Sequence, residues 1–311
     1  MPLTLNKVSK RAGDKWTLRD VEFDIAEGEI FGIYGGTGSG KTSLLKAISG
    51  EEKLNGGIIT GHQNAHLACL KTKSGISGLF GGSQSKSDGE TKTAAFKSAI
   101  ESGAKLILLD DILTGIDRPT RHRLFTELRE VAKRSGTIVV YASSNFEQIA
   151  SICDRVAVLV DGEVAQIGFP HEVYQNPASS AVAQIVGTNN LIAARRLTST
   201  DADLPEFQTI DGGHRLLSRV TAKASLGAIN QNVTLAIRPE HVSISFDASF
   251  PEDNILKAVV TKITFLGATT IVTLDAGGLM VDSRVFRVFG LNIGDECMIA
   301  IPPHRIQVLK A

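Results

Sequence analysis

The sequence predicts an α/β domain with a mostly parallel sheet over residues 1–187, followed by a small all-β domain over residues 188–311. In the first part, strands alternate with helical segments and some strands are apolar throughout, which is typical of a parallel sheet covered on both faces. In the second part, nearly every apolar run is short and alternates with polar residues, which is typical of half-buried antiparallel strands. At this size a barrel is favoured over a sandwich, so an OB-like barrel is predicted there.

Length, charge and cysteine content narrow the class of protein. The 311 residues are enough for two domains, each with its own core. The 33 basic and 33 acidic residues balance, so no bulk attraction to nucleic acid or anionic lipid is expected. The first residues carry charges where a signal peptide needs an apolar core, and no apolar run is long enough to span a bilayer. Cys69, Cys153 and Cys297 show no CxxC spacing, which predicts free thiols in a cytosolic protein.

The first domain begins with two or three short strands within residues 1–32. They lead into the glycine-rich turn GGTGSGK and the helix TSLLKAISG, which ends at Gly50 as a C-cap. Two further strands, GGIIT and HLACL, are predicted within residues 56–70. Residues 71–92 are rich in Gly, Ser and Lys and break the periodicity, so a long loop is predicted there.

The rest of the first domain alternates helices and strands. A helix over about residues 91–101 precedes the apolar strand KLILLD. The next helix has Pro119 near its first turn, where a missing N–H does no harm. The strand TIVVYAS, the short helix FEQIASIC, the hairpin RVAVLVDGEVAQIG and a helix near residues 170–186 complete the domain.

The strongest motif is a glycine-rich loop of the P-loop type, placed after a strand and opening a helix. Its glycines let backbone N–H groups converge on phosphate oxygens, and the helix N-terminus adds partial positive charge. Lys41 is predicted to reach the β- and γ-phosphates of a nucleotide, and the Thr42 hydroxyl to bind Mg²⁺. The predicted nucleotide-binding residues of this loop are Gly35, Gly36, Thr37, Gly38, Ser39, Gly40, Lys41, Thr42 and Ser43.

Two adjacent aspartates end the apolar strand LILL. Asp110 fits the Walker B position, whose carboxylate holds Mg²⁺, and the P-loop upstream strengthens that interpretation. From the residues alone, Asp111 has three possible interpretations: a catalytic base, a weakened copy of one, or a turn residue.

Taken together, these stretches resemble one family over nearly the whole chain: the ATP-binding subunits of ABC importers of the maltose, sulfate and polyamine type, with a C-terminal TOBE domain. GGTGSGKTSLL resembles the family's Walker A motif, and LLDDILTGID resembles its Walker B and D-loop, which Asp117 closes. YASSNFEQIASICDRVAVLVDGEVAQIGFPHEVYQNP is similar to the switch strand and the segments after it. AIRPEHV and IPPHRIQVL resemble phrases of the TOBE region.

Two departures from the family concern hydrolysis. The resemblance implies that Asp111 stands where the family carries the glutamate that orients the attacking water. Its carboxylate is one methylene further back, by roughly 1 Å, and a misplacement of that size can cost about 10²-fold in rate. The switch histidine of the family corresponds to Ser144, which can donate a hydrogen bond but cannot carry charge.

Two further departures concern the γ-phosphate. The resemblance implies that Lys71 stands where the family carries its Q-loop glutamine. The signature motif is degenerate, and LFGGS at 79–83 competes with KSDGE at 86–90. Counting back from Asp110 favours KSDGE, so Ser87 and Gly89 would be the retained γ-phosphate contacts; the alternative is that both are loop residues.

The fifth departure is a missing segment. Only 69 positions separate Lys41 from Asp110, several dozen fewer than in the family, and the shortfall corresponds to the helical subdomain that docks on the membrane subunits. The aromatic residue that stacks on adenine in the family falls near Ala12, and Trp16 could substitute for it or simply pack on the first sheet.

The resemblance implies an ATP-binding subunit of an ABC importer, binding ATP and Mg²⁺ at a dimer interface, with weak hydrolysis. Its expected partners are membrane-spanning permease subunits and a second ATP-binding subunit, as a homodimer or heterodimer, on the inner face of the membrane. The alternative is a catalytically degenerate partner of a complete ATPase subunit. A P-loop protein outside transport is a third reading.

Overall fold

The structure, a computed structural model, describes residues 1–61, 65–69, 88–199, 201, 203–219, 226, 228–245, 253–287 and 290–310. Of residues 65–69, 88–90 and 310 it describes the backbone alone. The chain divides into two compact units, Met1–Gln175 and Asn176–Ala311. The predicted boundary between residues 187 and 188 stays a prediction.

The described residues of the first unit form two sheets. An antiparallel sheet has the order β2-β1-β4 and is formed by β1 (Leu3–Ala12), β2 (Lys15–Ile25) and β4 (Gly56–Thr60). The second sheet has the order β5-β6-β7-β3-β8-β9, and only β9 runs antiparallel to its neighbour. Its strands are β3 (Ile30–Tyr34), β5 (Ala65–Cys69), β6 (Leu106–Asp110), β7 (Ile138–Ser143), β8 (Arg155–Val160) and β9 (Glu163–Gly168). The predicted, mostly parallel sheet is therefore confirmed.

In the part of the first unit that the structure describes, the α-helices are α1 (Lys41–Ser49), α2 (Asp88–Glu101), α3 (Arg118–Ser135), α4 (Phe146–Ile152) and α5 (Pro170–Gln175). The apolar side of α1 packs with β1, β2 and one face of the parallel sheet in a single core cluster, to which Leu44 and Ile48 contribute. Strands β6 and β7 are buried on both faces, which explains their continuous apolar runs.

Strand order places the carboxyl ends of β3, β6 and β7 side by side. Tyr34 at the end of β3 is in register with Ser143, and Asp110 at the end of β6 is in register with Ala142. Loops that follow parallel strands share one edge of the sheet, so the residues after these strands form a common site.

Among its described residues, the second unit contains α6 (Ser180–Ile185) and ten antiparallel strands. One five-stranded sheet has the order β12-β11-β10-β13-β19, from β10 (Asn190–Arg196), β11 (Glu206–Thr209), β12 (Arg215–Leu217), β13 (Asn232–Ile237) and β19 (Gln307–Lys310). The other has the order β14-β18-β15-β16-β17, from β14 (Ser243–Ser245), β15 (Asn254–Phe265), β16 (Thr270–Ala276), β17 (Leu279–Val285) and β18 (Glu296–Ile301). Both sheets contribute to one hydrophobic core, so the small all-β domain is confirmed.

The helix predicted near residues 170–186 is wrong in one respect, because two short helices, α5 and α6, occupy that stretch. Pro177 lies between them and disfavours helical backbone in the residue before it. Ser179 then caps α6, since its hydroxyl accepts a hydrogen bond of 3.3 Å from the Val182 amide.

Two predictions from composition can be compared with the structure. Cys153 and Cys297 are buried free thiols, as predicted, whereas the side chain of Cys69 lies outside the described residues. In the part of the chain that the structure describes, no helix is both long enough and apolar enough to cross a bilayer.

Candidate nucleotide-binding site

The P-loop connects β3 to α1 and leaves no room for side chains at two glycines. A Cβ on Gly35 would lie 2.5 Å from both the Leu159 carbonyl oxygen and the Ser39 hydroxyl. A Cβ on Gly40 would lie 2.5 Å from the Thr17 carbonyl oxygen, and Gly40 also has a φ of 103°. Any larger residue would displace backbone there, so the spacing of the two glycines is a steric requirement of this loop.

A hairpin turn braces the back of the P-loop. The Gly162 amide, between β8 and β9, donates to the Ser39 carbonyl at 3.2 Å, and the Arg19 amide donates to the Gly162 carbonyl at 2.9 Å. Gly162 has a φ of 83°, and a Cβ there would lie 2.6 Å from the Thr17 carbonyl oxygen. Sequence reasoning did not include Gly162 in the site, although the Asp161–Gly162 pair marks a tight turn.

Lys41 lies at the start of α1 with its ammonium held by the loop itself. Its Nζ donates to the carbonyl oxygens of Gly35 and Gly36, both at 2.8 Å. Burial lowers the pKa of Lys41, while the negative charges of Asp111 and Asp110 act in the opposite direction. The structure therefore brings the predicted lysine and both aspartates together.

Thr42 and Asp110 form a pair of oxygen ligands suited to a hard cation. The Thr42 hydroxyl donates to Asp110 Oδ2 at 2.8 Å. Mg²⁺ prefers oxygen ligands and is usually held by one or two carboxylates together with water and substrate phosphates. The donor set thus fits Mg²⁺ held jointly with a nucleotide.

The Ser39 hydroxyl gives a second indication that the loop accepts a ligand. Its oxygen is buried and has no hydrogen-bond partner among the described residues. A buried polar group without a partner costs free energy, so it is typically matched by a ligand or water. A nucleotide phosphate would satisfy it.

Asp111 is fixed in an unusual backbone conformation beside Asp110. Its φ is 44°, a left-handed conformation that aspartate tolerates better than most residues, and its amide donates to the Ala142 carbonyl at 2.9 Å. The Thr114 hydroxyl donates to Asp111 Oδ1 at 2.7 Å, and the Ser143 hydroxyl lies 3.2 Å from the same oxygen. The Thr114 hydroxyl therefore orients the carboxylate, and the Ser143 hydroxyl does so when its proton points to Asp111.

Ser143 is a second residue that sequence reasoning did not include in the site. It is fully buried at the end of β7, whereas Ser144, the predicted switch residue, is exposed. The Ser143 hydroxyl lies 3.2 Å from Gln148 Oε1 and accepts a hydrogen bond of 3.1 Å from the Asn145 amide. Gln148 Oε1 also accepts a hydrogen bond from the Tyr141 phenol, whose pKa burial raises. A buried polar network thus ends at Asp111.

Trp16 and Asp117 are predicted nucleotide-binding residues outside the P-loop. Trp16 is half-buried in β2, next to the Thr17 that packs on Gly40, and the Arg11 guanidinium lies 4.0 Å from its ring centroid. Asp117 is the N-cap of α3 and accepts a hydrogen bond of 2.9 Å from the Thr120 amide. The predicted roles of both residues stay predictions.

Most of the residues in the signature and Q-loop predictions lie outside the described residues. Lys71 and Ser87 lie outside the described residues, and Gly89 lies in the first turn of α2. A contact from the same helix was not predicted: Lys92 is 7% exposed, and its Nζ donates to the Thr114 carbonyl at 2.7 Å. Helix α2 is thereby tied to the loop that carries Asp111.

We expect Asp110→Asn to raise the melting temperature of the nucleotide-free protein by about 2–4 °C in the presence of a chelator. Burial raises the pKa of Asp110, and the charge of Asp111 raises it further, while the Thr42 hydrogen bond opposes both. A carboxyl whose pKa is raised in the folded state destabilises that state once it ionises, so the free energy of unfolding falls as pH rises through this range. Asparagine removes that charge but keeps an oxygen for Thr42.

Thermal unfolding at neutral and acidic pH checks this expectation. The difference between Asp110→Asn and the unsubstituted protein should shrink at low pH, where Asp110 is protonated. Asp154→Asn is the control, because Asp154 accepts hydrogen bonds from Arg129 and the Ile30 amide, and its loss should destabilise the protein. A destabilised Asp110→Asn variant at neutral pH would contradict the account of the site.

Profiles of two known families match the chain. The ABC transporter profile matches residues 18–80, which include the P-loop, and the TOBE domain profile matches residues 235–309. The first match ends before Asp110, so it includes neither β6 nor the residues that follow it.

Full-length relatives resemble the chain across both units. It is 27% identical to the spermidine/putrescine import ATP-binding protein PotA of Methylococcus capsulatus, over 90% of this chain and 84% of that protein. It is 28% identical to the Fe(3+) ions import ATP-binding protein FbpC of Streptomyces coelicolor, over 89% of this chain and 87% of that protein.

A solved structure supports the same assignment of fold. The chain superposes on a nucleotide-free ATP-binding cassette from an ABC transporter with a TM-score of 0.51, covering 60% of this chain and 100% of that one. The two sequences are 16% identical, so this likeness concerns the fold alone.

Proposed function

We propose that this chain is a divergent member of the ABC importer ATP-binding subunits with a C-terminal TOBE domain. It binds Mg-ATP to power or gate solute uptake, and it hydrolyses ATP slowly. The observation that carries the proposal is the convergence of Lys41, Thr42, Asp110 and Asp111 at one edge of the parallel sheet. A chance P-loop match would not be expected to place two aspartates beside the loop lysine and threonine.

Binding is assigned to the loop and to the two oxygen ligands. The backbone amides of the loop, the Ser39 hydroxyl and the Lys41 ammonium bind the phosphates, and Lys41 exchanges its bonds to Gly35 and Gly36 for phosphate oxygens. The Thr42 hydroxyl and the Asp110 carboxylate hold Mg²⁺. When bound, Mg²⁺ supplies positive charge that offsets the charge of the phosphate oxygens.

Asp111 is assigned as the residue that orients the attacking water and accepts its proton. Thr114 and Ser143 fix Asp111 Oδ1, which leaves the second carboxylate oxygen for the water. The side chain is one methylene shorter than glutamate, and the exposed Ser144 carries no charge to stabilise the γ-phosphate. Both features favour slow hydrolysis with intact binding.

We expect Ser143→Ala to lower kcat by roughly tenfold while leaving the KM for ATP within about twofold. The alanine removes one of the two hydroxyls that orient Asp111, without touching the P-loop. Steady-state phosphate release checks the result, and Ser143→Thr should recover most of the rate because it restores the hydroxyl. An unchanged kcat in Ser143→Ala would contradict the positioning role.

The chain is further proposed to act as part of a larger assembly on the inner face of the membrane. The relatives are named as import ATP-binding proteins, which supports permease subunits as partners and a second ATP-binding subunit as the dimer partner. In such a dimer the Walker A motif of one subunit faces the signature segment of the other, which is why Gly89 and the segment around Ser87 are included in the proposed site.

The alternative is a catalytically degenerate subunit that pairs with a complete ATPase. Its support is that the candidate base, the switch residue and the signature all depart from the family while the phosphate loop is intact.

Affinity purification of the tagged chain from its own cells distinguishes the main proposal from the degenerate-subunit alternative. Recovery with permease subunits and no other ATP-binding chain supports the main proposal, and recovery with a second, complete ATP-binding chain supports the alternative. Recovery with no membrane protein would contradict both.

A further inference from the structure

A groove runs between α3 and α4 on the first unit, away from the P-loop residues. It consists of two cavities of about 410 Å³ and 370 Å³ that share His122, Phe125 and Ser151 in their linings. Its floor is formed by buried side chains, Phe125 at 7% exposure and Gln148 at 4%. We call this feature the α3–α4 groove.

The rim of the α3–α4 groove is basic. Four permanent cations line it against two carboxylates: Arg118, Arg121, Arg129 and Lys133 against Glu130 and Glu147. Arg129 is bound to Asp154 at 3.0 Å, whereas Arg118 and Glu147 are 3.8 Å apart and both mostly exposed, so that pair is weak. The excess is local, because the whole chain has equal numbers of basic and acidic residues. With Asp154 counted beside the two lining carboxylates, the rim keeps one net positive charge, which favours a ligand with negative charge.

The dimensions favour a peptide segment over a small ion. The lining of α3 extends from Arg118 to Lys133, about 22 Å along the helix at 1.5 Å per residue. That length accommodates roughly six or seven residues of an extended chain, or a short helix. Phe125 and Ile152 offer an apolar contact beneath the basic rim, which suits an acidic segment with one apolar anchor.

The floor of the groove is connected to the candidate base. Gln148 Oε1 accepts from the Tyr141 phenol and lies 3.2 Å from the Ser143 hydroxyl, which lies 3.2 Å from Asp111 Oδ1. Phe125 packs edge-to-face on Tyr141, with ring centroids 6.1 Å apart. A hydroxyl has a single proton, so Ser143 donates to Gln148 or to Asp111 but not to both. Movement of Gln148 therefore changes how Asp111 is held.

We propose that the α3–α4 groove binds an acidic segment of a partner protein, whose apolar side chain packs on Phe125, and that its occupancy is transmitted to Asp111 through Gln148 and Ser143. The docking half goes beyond the proposed function. The transmission half rests on it, because it assigns the groove an effect on the same catalytic aspartate.

Fluorescence anisotropy with two labelled peptides tests docking on the full chain. One peptide carries glutamates around a single phenylalanine, and the other has lysines in place of the glutamates. The acidic peptide should bind, and more weakly as salt is added, while the lysine peptide should not. The double variant Arg118→Glu with Lys133→Glu should weaken binding about tenfold.

A matched control lies on the same helix. Arg123 and Arg134 are exposed residues of α3 that line neither cavity, so Arg123→Glu with Arg134→Glu should change the affinity by less than about twofold. Equal loss of binding in both double variants, or equal binding of the two peptides, would overturn the docking site.

Transmission has a readout independent of catalysis. The Asn145 amide donates to the Ser143 hydroxyl and the Gln148 amide to Asn145 Oδ1, so hydrogen exchange at these amides reports the state of the network. The acidic peptide should change their exchange rates, and also the rate of ATP hydrolysis. Gln148→Met should still bind the peptide but lose both responses.

The outcomes separate this inference from the proposed function. Peptide binding in the groove with unchanged exchange at both amides would overturn transmission. Absence of ATP hydrolysis, with peptide binding and altered exchange intact, would contradict the proposed catalysis and leave the α3–α4 groove supported.

Discussion

Lys41→Ala is expected to weaken ATP binding by at least about 100-fold, a loss of roughly 2.7 kcal/mol. The ammonium lies at the centre of the P-loop, and hydrogen bonds between charged groups in a partly buried site are among the strongest a protein offers. Isothermal titration with ATP and Mg²⁺ measures the change directly.

A second lysine provides the control for Lys41→Ala. Lys105 is exposed, precedes β6 at the opposite end from Asp110, and donates to the Ser135 carbonyl at 3.0 Å. Lys105→Ala should leave ATP affinity within about twofold, since a surface lysine contributes little to a distant site. Unchanged affinity in Lys41→Ala, with normal thermal unfolding, would refute the assignment of the P-loop.

Asp111→Asn should lower kcat by about 10²-fold or more while ATP affinity changes only a few-fold. Asparagine keeps the side-chain shape and an oxygen for Thr114 and Ser143 but cannot accept a proton. Asp111→Glu should raise kcat, by up to about 10²-fold, because it extends the carboxylate towards the γ-phosphate. Steady-state phosphate release under saturating ATP and Mg²⁺ measures both variants.

The Asp111 series has its own control and its own contradiction. The φ of 44° at this position is less favourable for glutamate than for aspartate, so thermal unfolding of Asp111→Glu must accompany the rate measurement. Full turnover by Asp111→Asn would show that another residue is the base. No turnover by any of the three proteins would favour the degenerate subunit.

The parts of this fold that depend on periodicity and spacing could be predicted from the sequence. Strands β6 and β7 are apolar throughout because both faces are buried, and that pattern identifies a parallel sheet without coordinates. The P-loop was predictable because close backbone approach excludes side chains at Gly35 and Gly40. Because the strands of this sheet are parallel, their carboxyl ends share one edge, and the position of Asp110 at the same edge as the P-loop follows from that.

Features that depend on side-chain direction were not predictable in the same way. Ser143 and Ser144 are neighbours of the same type, and only the position of β7 decides that Ser143 is buried against Asp111 while Ser144 is exposed. Strand alternation places successive side chains on opposite faces, but the face that meets Asp111 is set by tertiary packing. Resemblance to the family pointed to Ser144, whose role towards the γ-phosphate stays a prediction, and gave no sign of the Ser143 contact with Asp111.

Long-range backbone contacts were also beyond sequence reasoning. Gly162 braces the P-loop across more than a hundred positions of chain, and nothing in its local sequence indicates more than a turn. The contact of Lys92 with the loop that carries Asp111 is similar, because a lysine in a helix usually faces solvent. Pro177 indicated the break between α5 and α6, but the helical periodicity of the residues around it favoured a single helix.

The central claim is that Thr42 and Asp110 hold Mg²⁺ together with ATP on this chain. Titration of ATP into the purified protein with Mg²⁺, and again with a chelator, tests it most directly. The account predicts tighter binding with Mg²⁺, and it predicts that Asp110→Asn removes most of that difference while binding without Mg²⁺ persists. Binding that is equal with and without Mg²⁺, or no ATP binding at all, would contradict it.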